Sequence, residues 1–90
     1  MKNLVSIVRC ETYERRAVEG ALRRAVDLMG GISRFVKSGD RVLIKPNLLV
    51  SRARDKRVTT DPEVVRAAVL LVLEAGGRAL VGDSPALGSA

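Results

Sequence analysis

The stretch Val42-Leu-Ile-Lys-Pro-Asn47 decides the fold. Its apolar run has no polar alternate, so it reads as a strand covered on both faces, which is the habit of a central strand in a parallel sheet. The run stops at a lysine, a proline and an asparagine. Further along, Thr59-Thr-Asp-Pro-Glu63 opens a helix and Gly82-Asp-Ser-Pro85 closes another apolar run. Each polar cluster stands where a strand ends or a helix begins, which is where open α/β sheets keep their ligand sites.

Working outward, Leu4, Val5, Ile7 and Val8 predict a first strand from about Asn3 to Arg9. From Glu14 to Met29, the apolar positions Ala17, Val18, Ala21, Leu22, Ala25, Val26 and Met29 recur every three or four residues. Arg15, Arg16, Glu19, Arg23, Arg24 and Asp27 take the opposite face, so this is an amphipathic helix. Gly30-Gly31 ends it. Ile32 to Val36 forms either an extra helical turn or an irregular connection. Ser38-Gly39-Asp40 then turns the chain into a second strand, Arg41 to Lys45.

A second helix begins at residues 60–62 and runs to about Ala75, stopping at Gly76-Gly77. Two caps are open to it. Thr60 and Glu63 can form a reciprocal capping box, or Asp61 can cap with Pro62 at the first helical position. From Val64 to Leu73 this helix is apolar nearly all round, so it needs cover on more than one side. A third strand, Arg78 to Gly82, cannot supply all of it.

Strand, helix, strand, helix, strand with crossover-length connections predicts a right-handed βαβαβ unit. The expected fold class is α/β, an open three-layer type with a parallel sheet of three strands. Residues 1–90 read as a single α/β domain that is the front part of a larger one. The rest of that domain, or a partner chain, is expected to cover the second helix.

Composition narrows the function. The 90 residues bury roughly 60 to 65% of the surface they expose when unfolded, so the core is thin. Tyr13 and Phe35 are the aromatic residues, which leaves no row of stacking platforms for bases. Sixteen basic residues against ten acidic give a formal charge of +6, favouring anionic partners. Within Ser51 to Val58, Arg52, Arg54, Lys56 and Arg57 outnumber the one acid, Asp55. That loop is either solvated or a clamp for an anion or a nucleic-acid backbone. Cys10 is the sole cysteine and histidine is absent, so thiolate or imidazole metal sites cannot be built from this chain alone. Metal chemistry here would need carboxylates or another polypeptide. The first ten residues lack a signal-peptide core, and Ala67 to Leu73 is far short of the roughly 20 apolar residues that span a bilayer. The expected location is cytoplasmic.

In order and spacing, Val42 to Leu49, Val58 to Ala67 and Val81 to Pro85 resemble the amino-terminal part of the family catalogued as domain of unknown function 362. The likeness runs from about Val5 to Ser89. The sequence departs from the family pattern at Asp61, where histidine is frequent, and at Ala86 and Leu87, where glycine is. The resemblance implies a bacterial or archaeal protein, often joined to a ferredoxin-type module carrying two four-iron clusters. One cysteine cannot hold such a cluster, so 4Fe-4S clusters would belong to a module beyond residue 90, with no cofactor in this chain.

The candidate site follows from the strand ends. Lys45 is expected to face a phosphate or carboxylate, the alternative being a lysine reaching into solvent. Asn47 and Ser84 either orient a ligand by hydrogen bonds or lock their own loops. Thr59 and Thr60 lie at a helix N-terminus, where amides attract anions and where capping also explains them. Asp83 is the candidate acid/base or metal-binding carboxylate, with Lys45 beside it, or else a turn residue ahead of Pro85. The expected function is binding of a small anionic molecule at the carboxyl edge of the sheet, within an iron–sulphur redox protein or without one. The rivals are a nucleic-acid module using Arg52, Arg54, Lys56 and Arg57, and a structural domain without catalysis.

Overall fold

The computed structural model of the chain describes residues 3–47 and 60–82. The first helix, α1 (Arg15–Asp27), is followed by a 3-10 turn, Ile32–Arg34. Strand β1 (Arg41–Ile44), helix α2 (Pro62–Glu74) and strand β2 (Arg78–Val81) complete the described elements. The two strands pair in parallel, Arg41 opposite Arg78, Val42 opposite Ala79, Leu43 opposite Leu80 and Ile44 opposite Val81. The unit β1–α2–β2 is therefore the β-α-β crossover that the apolar runs and the 3.6-residue period predict.

Both helices end by the same device. The Gly31 amide donates to the Val26 carbonyl and the Gly30 amide to Asp27; the Gly77 amide donates to Val72 and the Gly76 amide to Leu73. This paired pattern is the Schellman motif, which needs a left-handed residue. Gly30 (φ 108°) and Gly76 (φ 88°) supply it.

Gly77 meets a second constraint, because the chain must turn from α2 into β2 across the start of β1. A Cβ on Gly77 would stand 2.8 Å from Val36 Cγ1, 3.1 Å from Val72 Cγ1 and 3.3 Å from the Asp40 carbonyl oxygen. Only a bare backbone passes through that gap. The next amide, Arg78, then donates to the Asp40 carbonyl at 2.7 Å and starts the ladder.

The core is small and aliphatic, formed by the buried residues Val18, Val36, Ala67, Leu71 and Val72. Helix α2 packs against α1 and against both strands. Val72 is buried, and the rest of Val64 to Leu70 is buried or half-buried.

The predicted first strand is absent. Residues 3–9 form no ladder, and the sheet has two strands among the described residues rather than three. An apolar run favours extended backbone, but a strand exists only through the edge it pairs with, and here the segment runs beside α1. The Ser6 hydroxyl donates to the Ala25 carbonyl at 2.6 Å. Leu4, Val5 and Ile7 stay 61%, 81% and 88% exposed. Between this segment and the helices lies an open groove of about 470 Å³, walled by Ile7, Val8, Tyr13, Val18, Leu22 and Val64.

Gly77→Ala is expected to destabilise the chain by about 1 to 3 kcal/mol, the usual cost of overpacking a well-filled site. Gly20→Ala provides the contrast, since Gly20 is exposed on α1 and a Cβ there meets nothing within 4 Å. It should stabilise by about 0.5 to 1 kcal/mol through helix propensity. Urea denaturation of the two variants checks both signs.

Candidate functional site

Parallel pairing puts the carboxyl ends of β1 and β2 on one edge. The Gly82 amide donates to the Ile44 carbonyl at 3.0 Å, carrying the ladder to that edge. Lys45 follows β1 directly and is exposed. At the same edge, the N-terminus of α2 is tied to the end of β1 by two hydrogen bonds. The Asn47 amide donates to Thr60 Oγ1 at 2.9 Å, and the Thr60 amide donates to the Asn47 carbonyl at 2.9 Å.

This clasp assigns Thr60 a task other than capping. Asp61 is the N-cap, its carboxylate accepting the Glu63 amide at 2.9 Å, with Pro62 opening the helix. Of the two caps the sequence allows, the aspartate is the one formed. Thr60, freed from the cap, closes the base of the connection between β1 and α2. The half-buried threonine and exposed Asn47 hold the strand end and the helix start together.

Behind the clasp stands a set of charged groups that sequence reasoning did not single out. Arg66 donates through Nη2 to Glu19 Oε2 at 2.6 Å and through Nε to Glu63 Oε1 at 3.1 Å, while Arg15 Nε lies 3.5 Å from Glu63 Oε1. The Arg66 hydrogen bond holds the Glu63 carboxyl below its ordinary value; partial desolvation opposes this and Arg15 adds to it. At the other end of the helices Arg23 grips Glu74 with both terminal guanidinium nitrogens, Nη1 and Nη2, at 2.8 and 2.9 Å. That contact lowers the Glu74 carboxyl and raises the Arg23 guanidinium. The Glu63–Arg66 pair, three residues apart on one helix, was available as a signal. Its partners on α1 were not, because they depend on how the helices pack.

Since residues 15 and 19 meet 63 and 66, and residue 23 meets 74, α1 and α2 run in the same direction. The structure thus brings Lys45, Asn47 and Thr60 to the edge where α2 begins. Thr59, Asp83, Ser84, Arg52, Arg54, Lys56 and Arg57 lie outside the described residues. Among the described residues there is no cluster of three or more histidines, cysteines or carboxylates suited to a metal, and no helix long and apolar enough to cross a membrane.

Comparison with known proteins agrees with the sequence resemblance. The family described as "Domain of unknown function (DUF362)" matches residues 42–90, which include all of β1 but Arg41, and the whole of α2 and β2. A thylakoid-associated protein of Synechocystis sp. is 48% identical over 90 residues, the whole of this chain and 28% of that protein. The chain therefore spans less than a third of the length of this relative. No solved structure matches.

Thr60→Val removes the acceptor for the Asn47 amide while keeping the side chain's shape. It should cost about 0.5 to 1.5 kcal/mol, the net value of one hydrogen bond, whereas Thr60→Ser should stay close to the parent. Chemical denaturation distinguishes them, and a valine variant as stable as the parent would show that the clasp contributes nothing.

Proposed function

The chain belongs to the family described as domain of unknown function (DUF362), and from that footing we propose that it binds a small anionic ligand at the carboxyl edge of its parallel strands. The observation that carries this reading is the in-register pairing of β1 and β2, which brings Lys45 and Gly82, next after the two strands, to one edge. The clasp between Asn47 and Thr60 keeps the start of α2, with its positive dipole end, beside that edge. In this reading Lys45 pairs with the anion, and Asn47 and Ser84 orient it. The Thr59 amide forms one wall, the Thr60 amide being already bonded to the Asn47 carbonyl, and Asp83 serves as acid/base or cation-binding carboxylate.

The same proposal includes a third parallel strand. Helices α1 and α2 run in the same direction side by side, as successive crossovers on one face of a sheet do. The residues before α1 then belong beside β1, on its free edge, giving the order 3–9, β1, β2. The apolar stripe Val18, Leu22 and Ala25 of α1, which now walls an open groove, would cover that strand. Hydrogen exchange tests it in a longer protein containing this chain, which the length of the Synechocystis relative leads us to propose. The amides of Val5 and Ile7 should be protected to the level of Leu43, and fast exchange at both would remove the third strand.

In the longer protein, a ferredoxin-type module would bind its clusters through its own cysteines, because Cys10 is single and exposed. The cysteine spacing of that protein decides this point. A cytoplasmic location is part of the proposal, and the description of the Synechocystis relative makes a thylakoid surface the alternative.

Lys45→Ala should weaken the binding of inorganic phosphate and small carboxylates by about 1 to 3 kcal/mol, the range for losing one charge-assisted hydrogen bond. Calorimetric titration of the longer protein and its variant provides the measurement. Equal affinities, or an effect confined to substitutions at Arg52, Arg54, Lys56 and Arg57, would move the site to the basic loop and favour nucleic acid instead.

A further inference from the structure

The face of the sheet turned away from α2 is open. Along β1 and β2 the half-buried residues Val42, Ile44 and Ala79 alternate with exposed Arg41, Leu43, Arg78 and Leu80, and Val81 at the end of β2 is exposed as well. Because the register is in step, Arg41 stands beside Arg78 and Leu43 beside Leu80. The leucines are 57% and 53% exposed. Leu43 also leans over bare backbone, its Cδ1 lying 3.4 Å from where a Cβ on Gly82 would be. Lys45 continues the alternation and is exposed beyond the leucines.

Parallel sheets occur almost only with both faces covered. This face offers a short apolar strip with cations at each end, Arg41 and Arg78 at one and Lys45 at the other. Neither Arg41 nor Arg78 has an ion-pair partner among the described residues. A second copy of the chain fits poorly, since turning the strip end for end still sets cations against cations. From Arg41 to Lys45 is about 13 Å at a strand's rise, the length of about nine residues of α-helix.

We propose that this face docks an amphipathic α-helix, apolar at its middle and carrying carboxylates at both ends, laid along the strands over Leu43 and Leu80. The chain spans 28% of its Synechocystis relative, so the remainder of a protein of that length is ample to provide such a helix. The docking uses the face of the sheet and shares only Lys45 with the proposed anion site, so its test reads Arg41, Leu43, Arg78 and Leu80, which that site does not use.

The probe is a pair of 18-residue helical peptides sharing one leucine stripe, the first flanked by glutamates and the second by lysines. Each is titrated into the isotope-labelled 90-residue chain and followed by amide chemical shifts. The glutamate peptide should shift Arg41, Leu43, Arg78 and Leu80 and bind about tenfold more tightly than the lysine peptide, as two or three exposed charge pairs allow. The double variant Arg41→Glu with Arg78→Glu, at exposed positions, should reverse that preference. Leu80→Gln should weaken both peptides without changing their order. Equal affinities, or shifts mapping to α1 or α2, would overturn the proposal. So would a dimer in sedimentation that buries this face, or preferential binding of the face to phosphatidylglycerol vesicles.

Discussion

The in-register parallel pairing of Arg41–Ile44 with Arg78–Val81 is the constraint on which everything else depends. Parallel strands cannot be joined by a tight turn, so the chain must cross over, and α2 is that crossover. Its direction and the side it covers then follow, as does the edge at which both strands emerge. The pairing also calls for glycine at 77, since β2 starts at the next residue and a Cβ there would meet Val36, Val72 and the Asp40 carbonyl. A short sheet is held in register by backbone fit at one corner rather than by a large core.

The ion pairs between the helices complement that corner. Exposed pairs are screened by salt and add little to stability singly, but their placement carries information. Arg66 bridges Glu19 and Glu63 near the helix starts and Arg23 holds Glu74 near the ends. An antiparallel pair of helices could not satisfy both contacts. The charges thus select the orientation of α1 on α2, while Val18, Ala67 and Leu71 provide the buried contact.

Local rules made most of the elements legible. The 3.6-residue period placed α1, double glycines ended both helices, and Asp61-Pro62 opened α2 where the cap is found. Strands β1 and β2 were readable from unbroken apolar runs. Leu4 to Val8 looks the same by composition and yet forms no strand, because pairing is a property of two segments and only one of them is in the run. The clasp was hidden for a related reason. It joins a backbone amide to a hydroxyl thirteen residues away, whereas Thr60 read locally is simply a capping residue. Of the candidate site, Lys45, Asn47 and Thr60 were legible as strand-end and helix-start residues, but Thr60's actual partner was not.

The exposed apolar groups fall into two sets with different geometric meanings. Leu4, Val5 and Ile7 belong to a segment with unused backbone donors and acceptors, and what such a segment lacks is a strand edge. Leu43 and Leu80 belong to strands already paired with each other, and what they lack is a layer. An edge is completed by hydrogen bonds in the plane of the sheet and a face by packing about 10 Å away from it, so one added element cannot satisfy both. A third strand on β1 would widen the open face rather than close it, and would thereby increase the demand for a helix beneath. The helix needs carboxylates because the strip beside the leucines ends in arginine and lysine, whatever residues join the edge.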